Sequence, residues 1–209
     1  MCAHTPRGDR ASPAGPAVVQ GFVGHYTPRN PADTTPHDID GDRSLLIRHE
    51  EPQDVEAIHA VNASSFPGDV EARLVDALRD GGSLTMSMVA IEDDRIVGHI
   101  AFSPVQTESG ASGLGLAPVA VLESHRRRGI GAALIRAGLD ACRLLDVGWV
   151  VVLGEPAYYG RFGFVAASRF GLHDEYGGSD AFQALELCEG ALPRGAGLVK
   201  YAPEFSMVE

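Results

Sequence analysis

A chain of 209 residues that is 44% hydrophobic is long enough to bury one sizeable core and short for two enzyme-sized domains, so a single catalytic domain is expected. Its formal net charge of -11 disfavours nucleic acid and anionic membrane as partners, and any polyanionic ligand has to find a local basic spot. Three cysteines (Cys2, Cys142, Cys188) and eight histidines fall without Cys-x-x-Cys or His-x-x-x-His spacing, which argues against a metal centre or a disulfide framework and suits a reducing cytoplasm.

Residues 1–43 hold six prolines and five glycines with only short apolar patches, a composition that predicts a disordered extension. Arg7 and Arg10 precede no continuous apolar stretch of the kind a secretory signal needs. The folded domain is expected over residues 44–209. It starts with a strand at 45–48, after which Pro52 opens a helix with Val55, Ile58 and Val61 three residues apart. A second helix over 69–80 places Val70, Leu74, Val75 and Leu78 on one face before the Gly81-Gly82 stop.

Residues 84–91 and 95–102 are β-rich and flank Glu92-Asp93-Asp94, the pattern of an antiparallel hairpin. A further apolar strand over 113–122 contains Pro118, which cannot donate to a sheet ladder and so marks a bulge or an open edge. The clearest helix, 129–145, carries Ile130, Leu134, Ala137, Ala141 and Leu145 at spacings of three and four. Trp149 to Leu153 then reads as a buried strand, far below the ~20 residues that span a bilayer. A Pro156-initiated turn and short strands at 164–167, 184–187 and 197–201 follow. The order predicts an α/β (α+β) fold with a central mixed, mostly antiparallel sheet flanked by helices, and one crossover through the long helix.

Between the Pro118 strand and that helix runs Arg126-Arg127-Arg128-Gly129-Ile130-Gly131-Ala132. A helix start aims unpaired backbone N–H groups at one spot and carries about half a positive charge from its dipole, both of which favour phosphate. Gly129 and Gly131 remove side chains that would keep a diphosphate off the backbone. The third glycine of a dinucleotide fingerprint is replaced by Leu134, and the Gly-Lys-Ser/Thr of a Walker loop is missing.

The Arg-x-x-Gly-x-Gly-Ala run resembles the signature of the GNAT acyltransferases, and the apolar strand before it is placed as in that family. Leu114 to Leu122 looks like the family's cofactor strand, and the resemblance implies that Val119, Ala120 and Val121 offer main-chain groups to the pantetheine of acetyl-CoA. It also implies that Arg126, Arg127, Arg128, Gly129, Gly131 and Ala132 hold the diphosphate. Gly98-His99-Ile100-Ala101-Phe102-Ser103-Pro104 and Val152-Leu153-Gly154-Glu155-Pro156 are similar to a bacterial branch of N-acetyltransferases, where the second turn more often reads Gly-Asp-Pro.

Tyr159-Gly160-Arg161-Phe162-Gly163-Phe164 is similar to the family's Tyr-x-x-x-Gly-Phe segment, which implies that Tyr159 is the general acid toward the departing CoA thiolate. Tyr158, Phe162 and Phe164 read as core aromatics. Glu155 is the first candidate for a general base, with His99 and Glu71 behind it; each also has a structural reading, as a cap, a strand residue and a first-turn charge. His125 reads as an exposed loop histidine. Asp174, Glu175, Tyr176 and Phe182 fall where a substrate rim for a cationic amine could form.

The implied activity is acetyl transfer from acetyl-CoA to a primary amine, on a small molecule or a peptide, with no metal. A homodimer is compatible with the edge strands. Two other readings stay open: a non-catalytic acyl-CoA-binding sensor or interaction module, and a nucleotide-binding α/β domain.

Overall fold

A computed structural model describes residues 35–38, 44–177, 179–195 and 197–207. The expected extension, residues 1–43, lies outside the described residues except at β1 (Thr35–Asp38), which pairs antiparallel with β2 (Ser44–His49). After a 3-10 turn at Pro52–Asp54 come α1 (Val55–Ser65) and α2 (Val70–Asp80). The turn is closed by a reciprocal capping box between Glu51 and Asp54, and Arg48 grips the Asp54 carboxylate with both guanidinium ends, holding it below the usual carboxylate range.

β3 (Met86–Glu92) and β4 (Arg95–Thr107) form the expected hairpin. Its two-residue turn puts Asp93 and Asp94 at φ 50 and 58, the left-handed pair that matches the twist of the flanking strands. β5 (Ser112–Val121) leads into α3 (Ile130–Leu144), and α3 into β6 (Trp149–Leu153). The chain ends through α4 (Pro156–Tyr159), β7 (Val165–Ala166), β8 (Leu172–Asp174), β9 (Phe182–Glu186) and β10 (Gly197–Tyr201).

Among the described residues the strands form one sheet in the order β1-β2-β3-β4-β5-β6-β9-β7, with β10 on β4 and β8 beyond it. Pairing is antiparallel except at β5/β6 and β8/β10. This is the mixed, mostly antiparallel sheet that the element order predicts. Strand β8 is too short and too polar, Leu-His-Asp, to have carried a sequence signal.

One face of the sheet is covered by α3, whose Ile130, Leu134, Ile135, Leu139 and Cys142 pack with Ile100, Phe102, Val150 and Val152. The buried stripe is rotated from the predicted one. Ala137 and Ala141 are only partly buried, and Leu145 is 40% exposed because it is the C-cap, where the helix leaves the sheet. The other face takes α1 and α2 through Ile58 and Val75 against Val89 and Ala101. Val70, expected on the buried face of α2, stands at the helix start and is exposed.

Two irregularities open the sheet where a ligand would enter. In the β4/β5 ladder, Ile100 pairs with Val119 and Phe102 with Leu116, so Ala117 and Pro118 together face Ala101. This is the bulge that Pro118 predicts. On the other edge of β5, pairing with β6 stops after Leu114/Val150 and Gly115/Val151, so the two strands part company from Leu116 onward.

Candidate active site

The parting of β5 and β6 leaves a cleft of about 290 Å³ lined by Ser65, Phe66, Val119, Val121, Arg126, Gly131, Tyr158 and Tyr159. Four elements distant in sequence meet here: the end of α1, the second half of β5, the start of α3, and α4. Val119 and Val121 pair with Ile100 and Gly98 and share their face of the sheet; Ala120 pairs with His99, is 1% exposed and turns its methyl the other way. Of the three predicted cofactor-strand residues, Val119 and Val121 line the cleft with their side chains, and Ala120 is left with its main chain alone.

The loop before α3 has the backbone that the glycine pattern requires. Gly129 sits at φ 86 as the N-cap and Arg127 at φ 61. The first helical hydrogen bond runs from the Ala133 amide to the Gly129 carbonyl at 2.9 Å, so the amides of Ile130, Gly131 and Ala132 lie at the open end of the helix. A Cβ on Gly131 would stand 3.1 Å from the Tyr158 hydroxyl and 3.7 Å from Val121 Cγ2, which makes that glycine part of the cleft wall.

The three arginines take three different environments. Arg126 donates from Nε to the Val121 carbonyl at 3.1 Å and from Nη2 to the Ser65 carbonyl at 2.6 Å, bracing the end of α1 against β5 at the cleft mouth. Arg128 turns away and grips the Glu92 carboxylate with both ends at 2.6 and 3.0 Å. Glu92 is 2% exposed and also receives His125 Nε2 at 3.2 Å, so His125 is a partly buried partner of a buried carboxylate rather than the exposed loop histidine expected. Arg127 is exposed. In this structure a buried carboxylate holds Arg128 and two backbone carbonyls hold Arg126, and both are stronger partners for a guanidinium than open solvent.

Tyr159 stands edge-on to Tyr158 at 5.2 Å between ring centroids and to Phe164 at 5.9 Å. Gly154 lets it settle, because any Cβ there would collide with the Tyr159 ring. Burial, with Tyr158 adding to it, pushes the Tyr159 hydroxyl up to about 12. Phe164 is in the core, as expected. Tyr158 is not simply a core residue: it lines the cleft beside Gly131, and burial raises its hydroxyl pKa against the opposing pull of Arg161, whose guanidinium lies 4.5 Å over its ring. Ser65, Phe66 and Tyr158 were missed in the sequence; the tandem tyrosine and the Ser64-Ser65-Phe66-Pro67 helix stop are the signals that could have found them.

None of the three base candidates lines the cleft. Glu155 precedes α4 with an exposed side chain, and it caps the turn through its carbonyl, which accepts from the Tyr158 and Tyr159 amides at 3.0 and 3.1 Å. Glu71 lies in the first turn of α2. His99 is fully buried on the face opposite α3, and burial pushes its pKa down to about 4. Its Nδ1 accepts from Asn62 Nδ2 at 3.0 Å, an amide that also donates to the Ile58 carbonyl at 2.9 Å. His99 Nε2 therefore carries the ring proton and donates to Ser87 Oγ at 2.9 Å, and Ser87 in turn donates to Glu50, which Arg79 holds with both ends. Together these groups form a closed, buried hydrogen-bonded wire.

Among the described residues no His, Cys, Asp or Glu group could hold a metal ion, and no helix is long and apolar enough to cross a membrane.

The sequence matches the Acetyltransferase (GNAT) family over residues 55–164. It is 40% identical over 165 residues, 78% of this chain and 99% of the relative, to the N-acetyltransferase YhbS of Escherichia coli (strain K12). The crystal structure of E. coli YhbS in complex with CoA is similar with a TM-score of 0.76 at 39% identity, covering 81% of this chain and 96% of that one. A GNAT family acetyltransferase from Brucella melitensis in complex with acetyl-CoA is similar with a TM-score of 0.65 at 38% identity, covering 77% of this chain and 97% of that one.

Proposed function

The chain belongs to the GNAT family of acetyltransferases, and from that membership we propose that it moves the acetyl group of acetyl-CoA to a primary amine by direct attack on the thioester. The observation that carries the reading is the single cleft onto which Val119, Val121, Gly131 and Tyr159 all face. Both solved relatives were crystallised with CoA or acetyl-CoA, which supports acetyl-CoA as the co-substrate. The pantetheine arm runs along β5 past Val119 and Val121, the diphosphate takes the amides at the start of α3, and the thioester comes to Tyr159.

The amine nitrogen adds to the thioester carbonyl, the C–S bond breaks, and one proton passes from nitrogen to sulfur. Tyr159 is a weaker acid than the free phenol assumed from sequence. A hydroxyl held at about 12 gives up its proton less readily than a free phenol near 10. Its part is a hydrogen bond to the departing sulfur, while the proton that ends there comes from the nitrogen, which is cationic after addition. With no carboxylate lining the cleft among the described residues, the amine arrives neutral. The rise of kcat/KM with pH then follows the acceptor's own pKa, near 8 for an α-amine and near 10.4 for an ε-amine.

The test is thiol release from acetyl-CoA across a panel of α-amines, polyamines and lysine peptides, with wild type and Tyr159→Phe. Turnover on at least one amine, reduced by about tenfold or more in kcat in the folded variant, supports the reading. Tight CoA binding without release for any amine would instead support an acyl-CoA-binding module. Unchanged kcat in Tyr159→Phe would remove that hydroxyl from the mechanism.

A further inference from the structure

Asp174, Glu175 and Tyr176, the stretch expected at a substrate rim, come to lie behind the root of the cleft; Phe182, expected with them, is in the core instead. β10 extends the sheet beside the second half of β4, with Val199 opposite Thr107 and Tyr201 opposite Val105, and β8 sets Asp174 opposite Val199. Paired side chains share a face, so Asp174 and Tyr201 stand on the face of Val105 and Val199, away from α3. The Tyr201 ring reaches across Val105 to β5. A Cβ on Gly115 would stand 3.0 Å from Val105 Cγ1 and 3.1 Å from Tyr201 Cε1. Gly115 is the last residue of β5 to pair with β6, so the ring covers the point where the two strands begin to part.

Two hydroxyls end there without a hydrogen-bond partner among the described residues. Ser103 pairs with Gly115, lies on the Val105 face and is 0% exposed, and its Oγ is unmatched; the Tyr201 hydroxyl is likewise buried and unmatched. Buried polar atoms ordinarily find partners, so two such groups on one face mark a place for a polar group that the chain itself does not supply. The surroundings set its sign. Asp174 is 7% exposed on that face, Glu175 Oε1 accepts from the Tyr201 amide at 3.0 Å, and Tyr176 and Phe205 flank the Tyr201 ring at 5.6 and 4.9 Å between centroids. Burial, then Asp174, Tyr176 and Glu175, raise the pKa of the Tyr201 hydroxyl. Carboxylates beside aromatic rings suit a cation.

With the coenzyme on the α3 side of the parted strands, the opposite face is the one from which an acceptor reaches the thioester carbonyl. Resting on the acetyl-transfer reading of the cleft, we propose that Ser103, Asp174 and Tyr201 hold the second, cationic group of a diamine-type acceptor while its other nitrogen, neutral, attacks the thioester. The two hydroxyls accept from that ammonium and Asp174 balances its charge.

Calorimetry on the full chain saturated with CoA tests it, with putrescine and cadaverine against pentylamine and aminopentanol. Wild type is expected to bind the better diamine at least about tenfold more tightly than either monoamine. Asp174→Asn, Tyr201→Phe and Ser103→Ala are each expected to shrink that ratio, with CoA affinity unchanged, which also reports an intact fold. Equal affinity for diamines and monoamines, a preference for aminopentanol, or an undiminished ratio in Asp174→Asn would overturn the assignment. Thiol release from acetyl-CoA separates the two readings. Turnover of pentylamine as efficient as that of the diamines would keep acetyl transfer and overturn the cation site; selective diamine binding with no thiol release for any amine would uphold the site and remove acetyl transfer.

Discussion

Acidification should loosen this protein through His99, because it is fully buried and its ring is committed to the neutral form by Asn62 on one side and Ser87 on the other. Burial holds its pKa at about 4, against about 6.5 in an unfolded chain. Between those two values the unfolded state binds the proton and the folded state does not, so stability falls as pH drops through that window and the loss is complete below about pH 4. A shift of that size is worth about 3 kcal/mol in full, and about 2 kcal/mol of it is lost between about pH 7 and about pH 4.5. Stopping there limits the overlap with Glu50, where burial works upward but Arg79 and Ser87 hold the carboxyl below its ordinary value. Its own contribution is present above the ordinary carboxylate pKa and is lost as the pH falls further. The assay is urea unfolding followed by the fluorescence of Trp149, the chain's one tryptophan and 2% exposed, for wild type and His99→Gln. The wild-type unfolding free energy should fall by about 2 kcal/mol more than the variant's across that range. Parallel pH profiles for the two proteins would refute the buried neutral ring as the cause.

Two further substitutions separate binding from scaffolding. Gly131→Val puts methyl groups toward the Tyr158 hydroxyl and Val121 at the cleft wall, so CoA affinity by calorimetry should drop by about tenfold or more, ~1.4 kcal/mol, while the melting temperature stays near wild type; unchanged affinity would move the diphosphate away from this helix start. Arg128→Ala strips the two-pronged partner from a carboxylate that is 2% exposed, and chemical denaturation should show a loss of about 3 kcal/mol. A loss under about 1 kcal/mol would mean that the Glu92 pair behaves like a surface ion pair.

What could be read in the chain and what could not divides by sequence separation. The apolar spacing of α3, the β-branched run of β6 and the Asp93-Asp94 turn declare themselves within a few neighbours, because helix period, strand period and turn φ are local properties. Pro118 announces the bulge for the same reason, by lacking an N–H. Arg126, by contrast, is decided by a carbonyl 61 residues away, and Arg128 by a carboxylate 36 residues away. Three adjacent identical side chains therefore take three different environments, which no local pattern distinguishes.

The sequence by itself determined that a glycine-rich helix start follows a broken strand, and that a tyrosine follows the next strand, because each of these is a matter of backbone freedom and short-range periodicity. Only the tertiary structure decided that the end of α1 closes the cleft, that Tyr158 shares it with Tyr159, that Glu155 stays outside it, and that His99 is locked in a buried wire. Those outcomes depend on which surfaces the sheet brings together once its strands are paired, and pairing is set by burial of the whole set of apolar faces at once.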